Sequence, residues 1–216
     1  LSTETTETTE ARLEAAAALR RLGNAFVSHQ VDDAYLKEIT AQVTALLPGL
    51  EAAPDRAHAF LSHGPDTLAQ KMAGGEGTTA NTVFPDGVVS GKANPMGMEA
   101  NLWRTEDEAL MEVTLGPAFE GAPGRAHGGV VASLFDEVMG QALSTTGALA
   151  FTGRLAVTYR APTPLGVLLR ARAWPSHRSG RKLTITAELH SGPTLLAEAE
   201  GLFIAVEAEH FVGLET

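Results

Sequence analysis

The 216-residue chain contains no cysteine, which removes disulfides, thiolate nucleophiles and cysteine-ligated zinc ribbons together. It has no apolar run approaching the ~20 residues that a membrane-spanning helix needs. Basic charge is scarce: 16 Lys and Arg stand against 26 Asp and Glu, a formal net charge of −10. Nucleic acids and anionic membranes are held by basic footprints, so neither is an expected partner. The seven His residues form no close ligand pair, and no acidic calcium loop is present. No metal is therefore expected. A phosphate loop closing on Gly-Lys-Ser or Gly-Lys-Thr is missing too, which argues against a nucleoside triphosphate site. The opening Leu1-Ser2-Thr3-Glu4 is neither basic nor followed by an apolar signal core, so the chain reads as soluble and cytoplasmic.

What is present is globular: 44% of residues are hydrophobic, enough for a sizeable core. Residues 1–10 alternate Thr with Glu and read as a disordered tail. Residues 11–52 read as an N-terminal helical hairpin, with Leu13, Leu19, Leu22 and Phe26 near helical spacing in its first arm. Tyr35, Leu36, Ile39, Val43 and Leu46 repeat that spacing in its second. Residues 53–97, rich in Pro, Gly, Asp and His, read as a long connecting or covering segment, with a short helix possible within Phe60–Met72.

From Met98 the apolar period switches to two, and residues 98–207 read as one domain. Strands are expected at 98–104, 109–115, 154–160, 167–177, 182–191 and 195–206, with a helix from 127 to 144 between the second and third. The order ββαββββ implies an α+β fold in which an antiparallel sheet wraps a central helix. On that helix Leu134, Val138, Val131, Ala142, Phe135, Met139, Ala132 and Leu143 form one apolar arc, while Ser133, Glu137, Gln141 and Ser144 fall on the wet side.

His127-Gly128-Gly129 suits the start of that helix, where backbone N–H groups lack partners and can meet a substrate oxygen. Asp136 lies at the edge of the apolar arc, a place where partial desolvation suits a general acid or base. The bland alternatives are a solvated Asp and an ordinary loop; the glycines and the edge position together weigh against them. Gly128 and Asp136 are eight residues apart, about 12 Å along a helix. One carbonyl cannot touch both, so a shared active site requires antiparallel helices from two copies, hence a two-fold dimer.

Charge is uneven as well. No Asp or Glu occurs between Val138 and Ala187, yet Arg154, Arg160, Arg170, Arg172, Arg178, Arg181 and Lys182 do. Such a strip fits either a small polyanionic ligand or strand residues whose acidic partners come from elsewhere.

These motifs resemble the hot-dog-fold acyl-CoA thioesterases of the phenylacetate-degradation type and their mammalian thioesterase-superfamily relatives. The residues concerned are Gly124-Arg125-Ala126-His127-Gly128-Gly129, Leu134-Phe135-Asp136-Glu137, Thr152, Tyr159-Arg160-Ala161-Pro162-Thr163-Pro164-Leu165 and Gly180-Arg181-Lys182. The likeness covers about residues 90–206. It implies a split site at a dimer interface, in a dimer or a dimer of dimers, that hydrolyses a fatty or aromatic acyl-CoA. Asp136 would be base or nucleophile, the Gly128 N–H the oxyanion donor, Thr152 the positioner of water or carboxylate, and His127 the group orienting the helix start. Gly129, Thr158, Arg160, Arg181 and Lys182 would bind substrate, with coenzyme A entering as part of the substrate rather than as a cofactor. Position 121 departs from some relatives, carrying Gly where they have Asn; the mammalian branch shares that departure. The alternatives are a non-enzymatic acyl-CoA sensor and an enoyl-CoA hydratase. The latter is less favoured, because His127 and Asp136 fall on opposite sides of the helix.

Overall fold

The computed structural model describes residues 9–55 and 84–207. Two helices come first, α1 (Glu10–Ser28) and α2 (Asp33–Glu51). Both begin on side-chain caps. The Thr9 hydroxyl accepts from the Arg12 N–H at 3.3 Å, and the Asp32 carboxylate from that of Tyr35 at 2.8 Å. Next come β1 (Asn101–Arg104), β2 (Ala109–Thr114), the central helix α3 (Gly128–Leu143), β3 (Ala150–Tyr159), β4 (Leu168–Ser179), β5 (Lys182–Ser191) and β6 (Thr194–Ala205). The order is the expected ββαββββ. Residues 1–8 of the expected tail and the Phe60–Met72 helix fall outside the described ranges, whereas Thr9 and Glu10, expected in the tail, cap and open α1. Among the described residues no helix is long and apolar enough to cross a membrane.

All six strands form one antiparallel sheet in the order β1-β2-β4-β5-β6-β3, which leaves β3 on an edge. Helix α3 lies against every strand of the sheet. This is the hot-dog fold: a curved sheet wrapped around one apolar helix. Seven of the eight residues on the predicted arc are buried, from Val131 to Leu143, and Ala132 alone is only half-buried. Beneath them Leu169, Ala171, Ala173, Ile185, Ala187 and Leu189 alternate inward from β4 and β5, as a sheet with one solvated face requires.

Two findings differ from the sequence reading. Strand β3 starts at Ala150 rather than 154, because Gly153 is a bulge: Thr152 pairs Phe203 and Arg154 pairs Leu202, leaving Gly153 extra. That insertion breaks the two-residue alternation by which strands are recognised. Glu137, placed on the wet side by helical phase, is instead covered by the loop 84–100. Ser90 of that loop is fully buried and donates its hydroxyl to the Glu137 carboxylate.

Helix α1 is docked by polar groups more than by apolar ones. Arg20, 8% exposed, donates from Nη1 to the carbonyls of Lys92 at 2.9 Å and Asn94 at 2.7 Å, and its Nη2 faces Glu99 at 3.2 Å. Asn24 Oδ1 accepts from the Ala118 N–H at 3.2 Å, and a Cβ on Gly116 would lie 2.1 Å from that oxygen, so glycine is what allows α1 so close. Helix α2 buries no residue at all.

Candidate active site

The start of α3 is built around His127, which stands at the N-cap in extended conformation. Its Nδ1 accepts from the Gly129 N–H at 3.0 Å, so the proton of the neutral ring sits on Nε2. The carbonyl of His127 takes the N–H groups of Val130 and Val131. Of the first helical donors this leaves the Gly128 N–H, which has no partner among the described residues. That is a single unpaired donor at the positive end of a helix dipole, the arrangement that stabilises an anionic oxygen. Gly129, expected among the substrate-binding residues, spends its N–H on the cap.

Tyr159 supports the same end, its hydroxyl donating to the Gly128 carbonyl at 2.7 Å. Gly121 closes the loop behind: a Cβ there would lie 2.7 Å from the His127 Cα. The Asn found at that position in some relatives would displace His127 in this chain.

Two turns further along α3, Asp136 is exposed, and its Oδ1 accepts from the Thr152 hydroxyl at 2.8 Å. Sixteen residues of sequence separate the pair. The Gly153 bulge immediately follows Thr152 and bends β3 where that contact is made. Sequence reasoning paired these two residues only through the family resemblance. It missed Ser90 and Glu137, since nothing local marks a contact spanning 47 residues. Burial pushes the Glu137 carboxyl above its usual value; the hydrogen bonds from Ser90 pull it down and the neighbouring Asp136 charge pushes it up again.

The basic strip divides in two. Arg154 pairs with Glu200, Arg160 with Glu198, Arg170 with Glu112 and Arg172 with Glu108, so neighbouring strands supply the acids. Arg178, Arg181 and Lys182 cluster at the β4–β5 turn and have no acidic partner among the described residues. Arg181 instead donates from Nε to the Ala205 carbonyl at 2.9 Å. Thr158 is exposed on β3, on the sheet face opposite Leu155 and Val157. Arg160 bonds through its N–H to the Leu196 carbonyl, nine residues along β6 from Ala205, so it stands about 30 Å from the Arg181 turn. One chain therefore brings Asp136 to Thr152 and His127 to Gly128, but neither pair to the other.

Residues 123–198, which hold both halves of this constellation, match the thioesterase superfamily. That match takes in about a third of the chain. Among curated relatives, it is 31% identical over 118 residues to acyl-coenzyme A thioesterase THEM4 of Bos taurus, covering 53% of this chain and 48% of that protein. The Mus musculus THEM4 is 34% identical over 92 residues, 42% of this chain and 40% of the relative. The chain thus matches less than half the length of either. A crystal structure described as a thioesterase superfamily protein superposes with a TM-score of 0.75 at 26% identity, over 90% of this chain and 91% of that one. Such coverage extends well past residues 123–198.

Proposed function

We propose that this protein hydrolyses acyl-CoA thioesters in sites assembled from two copies of the chain. The observation that carries this reading is the placement of two hydrogen bonds at opposite ends of edge strand β3. Tyr159 holds Gly128 at one end and Thr152 holds Asp136 at the other. Antiparallel pairing of β3 with β3 of a second copy, about a two-fold near Leu155, sets Tyr159 of one chain near Thr152 of the other. The unpaired Gly128 N–H then faces Asp136 across the interface, which removes the 12 Å separation along a single helix. The same pairing brings Arg160 of one copy to the Ala150 end of the other, two strands or roughly 10 Å from its Arg181 turn.

The chemistry follows from these positions. The Gly128 N–H polarises the thioester carbonyl and receives the charge of the tetrahedral intermediate. Asp136, oriented by Thr152, takes a proton from water as that water attacks. Collapse of the intermediate expels the coenzyme A thiolate. Arg181 and Lys182 supply unneutralised charge for its phosphates, with Arg160 sharing Glu198 and Thr158 beside it on β3. No separate cofactor is required, because coenzyme A arrives with the substrate. Curated relatives named as acyl-CoA thioesterases support the reading.

The test is release of free thiol from short, long and aromatic acyl-CoAs by wild type and Asp136→Ala. A positioned base contributes roughly 10²- to 10⁴-fold, and the variant is expected to lose that much. Wild type that binds these esters without turnover would instead make the protein a sensor.

A further inference from the structure

Helix α2 poses a separate question. None of its residues is buried, yet Leu36, Ile39, Val43, Leu46 and Leu50 follow one another at spacings of three, four, three and four. That is the alternation of a narrow interhelical seam, not the broad apolar face of a helix lying on a sheet. Leu36 and Ile39 are half-buried at the mouth of a groove of about 600 Å³ between α1 and α2, lined also by Leu22 and Phe26. Val43, Leu46 and Leu50 continue the seam beyond it and stand exposed at 43%, 63% and 71%.

We propose that α2 pairs through this seam with α2 of a second copy of the chain. Charge permits it: the positions flanking the seam are Tyr35, Thr40, Gln42, Leu47 and Gly49, all uncharged, while Lys37 and Glu38 sit on the outer face. Two copies therefore meet without like charges opposed. The exposed area is of the order needed. On the seam and its flanks Tyr35, Val43, Leu46, Leu47 and Leu50 are 52%, 43%, 63%, 43% and 71% exposed, together roughly 550 Å², about two thirds of the ~800 Å² that each partner contributes to a standard interface. The β3 edge is a different surface, so the pairing stands whether or not the chain hydrolyses thioesters.

Because the chain has no cysteine, one introduced thiol reads the contact directly. Val43 is the middle residue of the seam and opposes itself whether the paired helices run parallel or antiparallel. Val43→Cys should form a covalent dimer on mild oxidation, and Lys37→Cys on the outer face should not. Leu46→Glu/Leu50→Glu added to Val43→Cys, which disturbs no buried residue, should abolish that crosslink whether or not the two copies also meet at β3. The proposal requires both results. If Val43→Cys remains a single chain after oxidation, or still crosslinks with both glutamates present, something other than a second α2 covers the seam and the proposal is wrong.

Discussion

At the scale of single residues, the Thr152 hydroxyl is the group whose loss discriminates best. Its hydrogen bond to a carboxylate is worth about 1.5–3 kcal/mol, so Thr152→Val should lower kcat by roughly 10- to 100-fold. Thr152→Ser, which restores the donor, should recover most of it, and a merely structural role for the methyl group would show the reverse order. Glu137 gives a prediction of stability rather than rate. Its carboxyl is raised by burial, so between its unfolded value of 4.5 and its higher folded value the native state binds more protons than the unfolded state. Stability contributed by this group is present at low pH and falls as pH rises through that window. Glu137→Gln cannot ionise, so thermal melts should show the variant gaining on wild type from about pH 4.5 upward, then levelling. A constant difference across pH would mean that folding leaves the Glu137 carboxyl unshifted. Helical phase alone misplaced this residue, because phase describes a helix and not the loop laid across it.

At the scale of elements, packing of α3 onto the sheet sets the tolerance of the core. Gly201 of β6 sits under the helix, where a Cβ would come within 2.6 Å of the Phe203 ring and 2.7 Å of the Met139 sulfur. Both side chains are almost wholly buried and have nowhere to move. Gly201→Ala should therefore cost about 1–3 kcal/mol by overpacking, read from urea unfolding. The elements themselves were legible in the sequence, since alternation identifies β4 and β5 and a 3.6-residue period identifies α3. What alternation could not convey was the first part of β3. Gly153 inserts one residue, and strand pairing with β6 restores the register on either side. The same bulge adjoins the Thr152–Asp136 contact, so the element hardest to read is the one that builds the site.

At the scale of the whole molecule, a site divided between copies has a signature that no single-chain site shares. Gly128→Pro deletes the proposed oxyanion donor at a first helical position, where proline is tolerated and its Cβ would lie 3.2 Å from the Tyr159 hydroxyl, and His127 before it is already extended at φ −64°, ψ 140°. Gly128→Pro and Asp136→Ala should each be inactive alone. Randomly mixed and reassociated, they should regain about a quarter of wild-type activity, because half the dimers are mixed and each holds one intact site. No recovery would place both groups in one chain's site. The sequence by itself determined the class of the fold, the apolar face of α3, the His-Gly-Gly start and Asp136, because each is written in periods and neighbours a few residues long. Tertiary structure decided the rest. It put the Thr152 hydroxyl on Asp136, closed Ser90 over Glu137, neutralised four arginines from neighbouring strands and left β3 an open edge, since those contacts join residues 16 to 64 positions apart that only the sheet brings together.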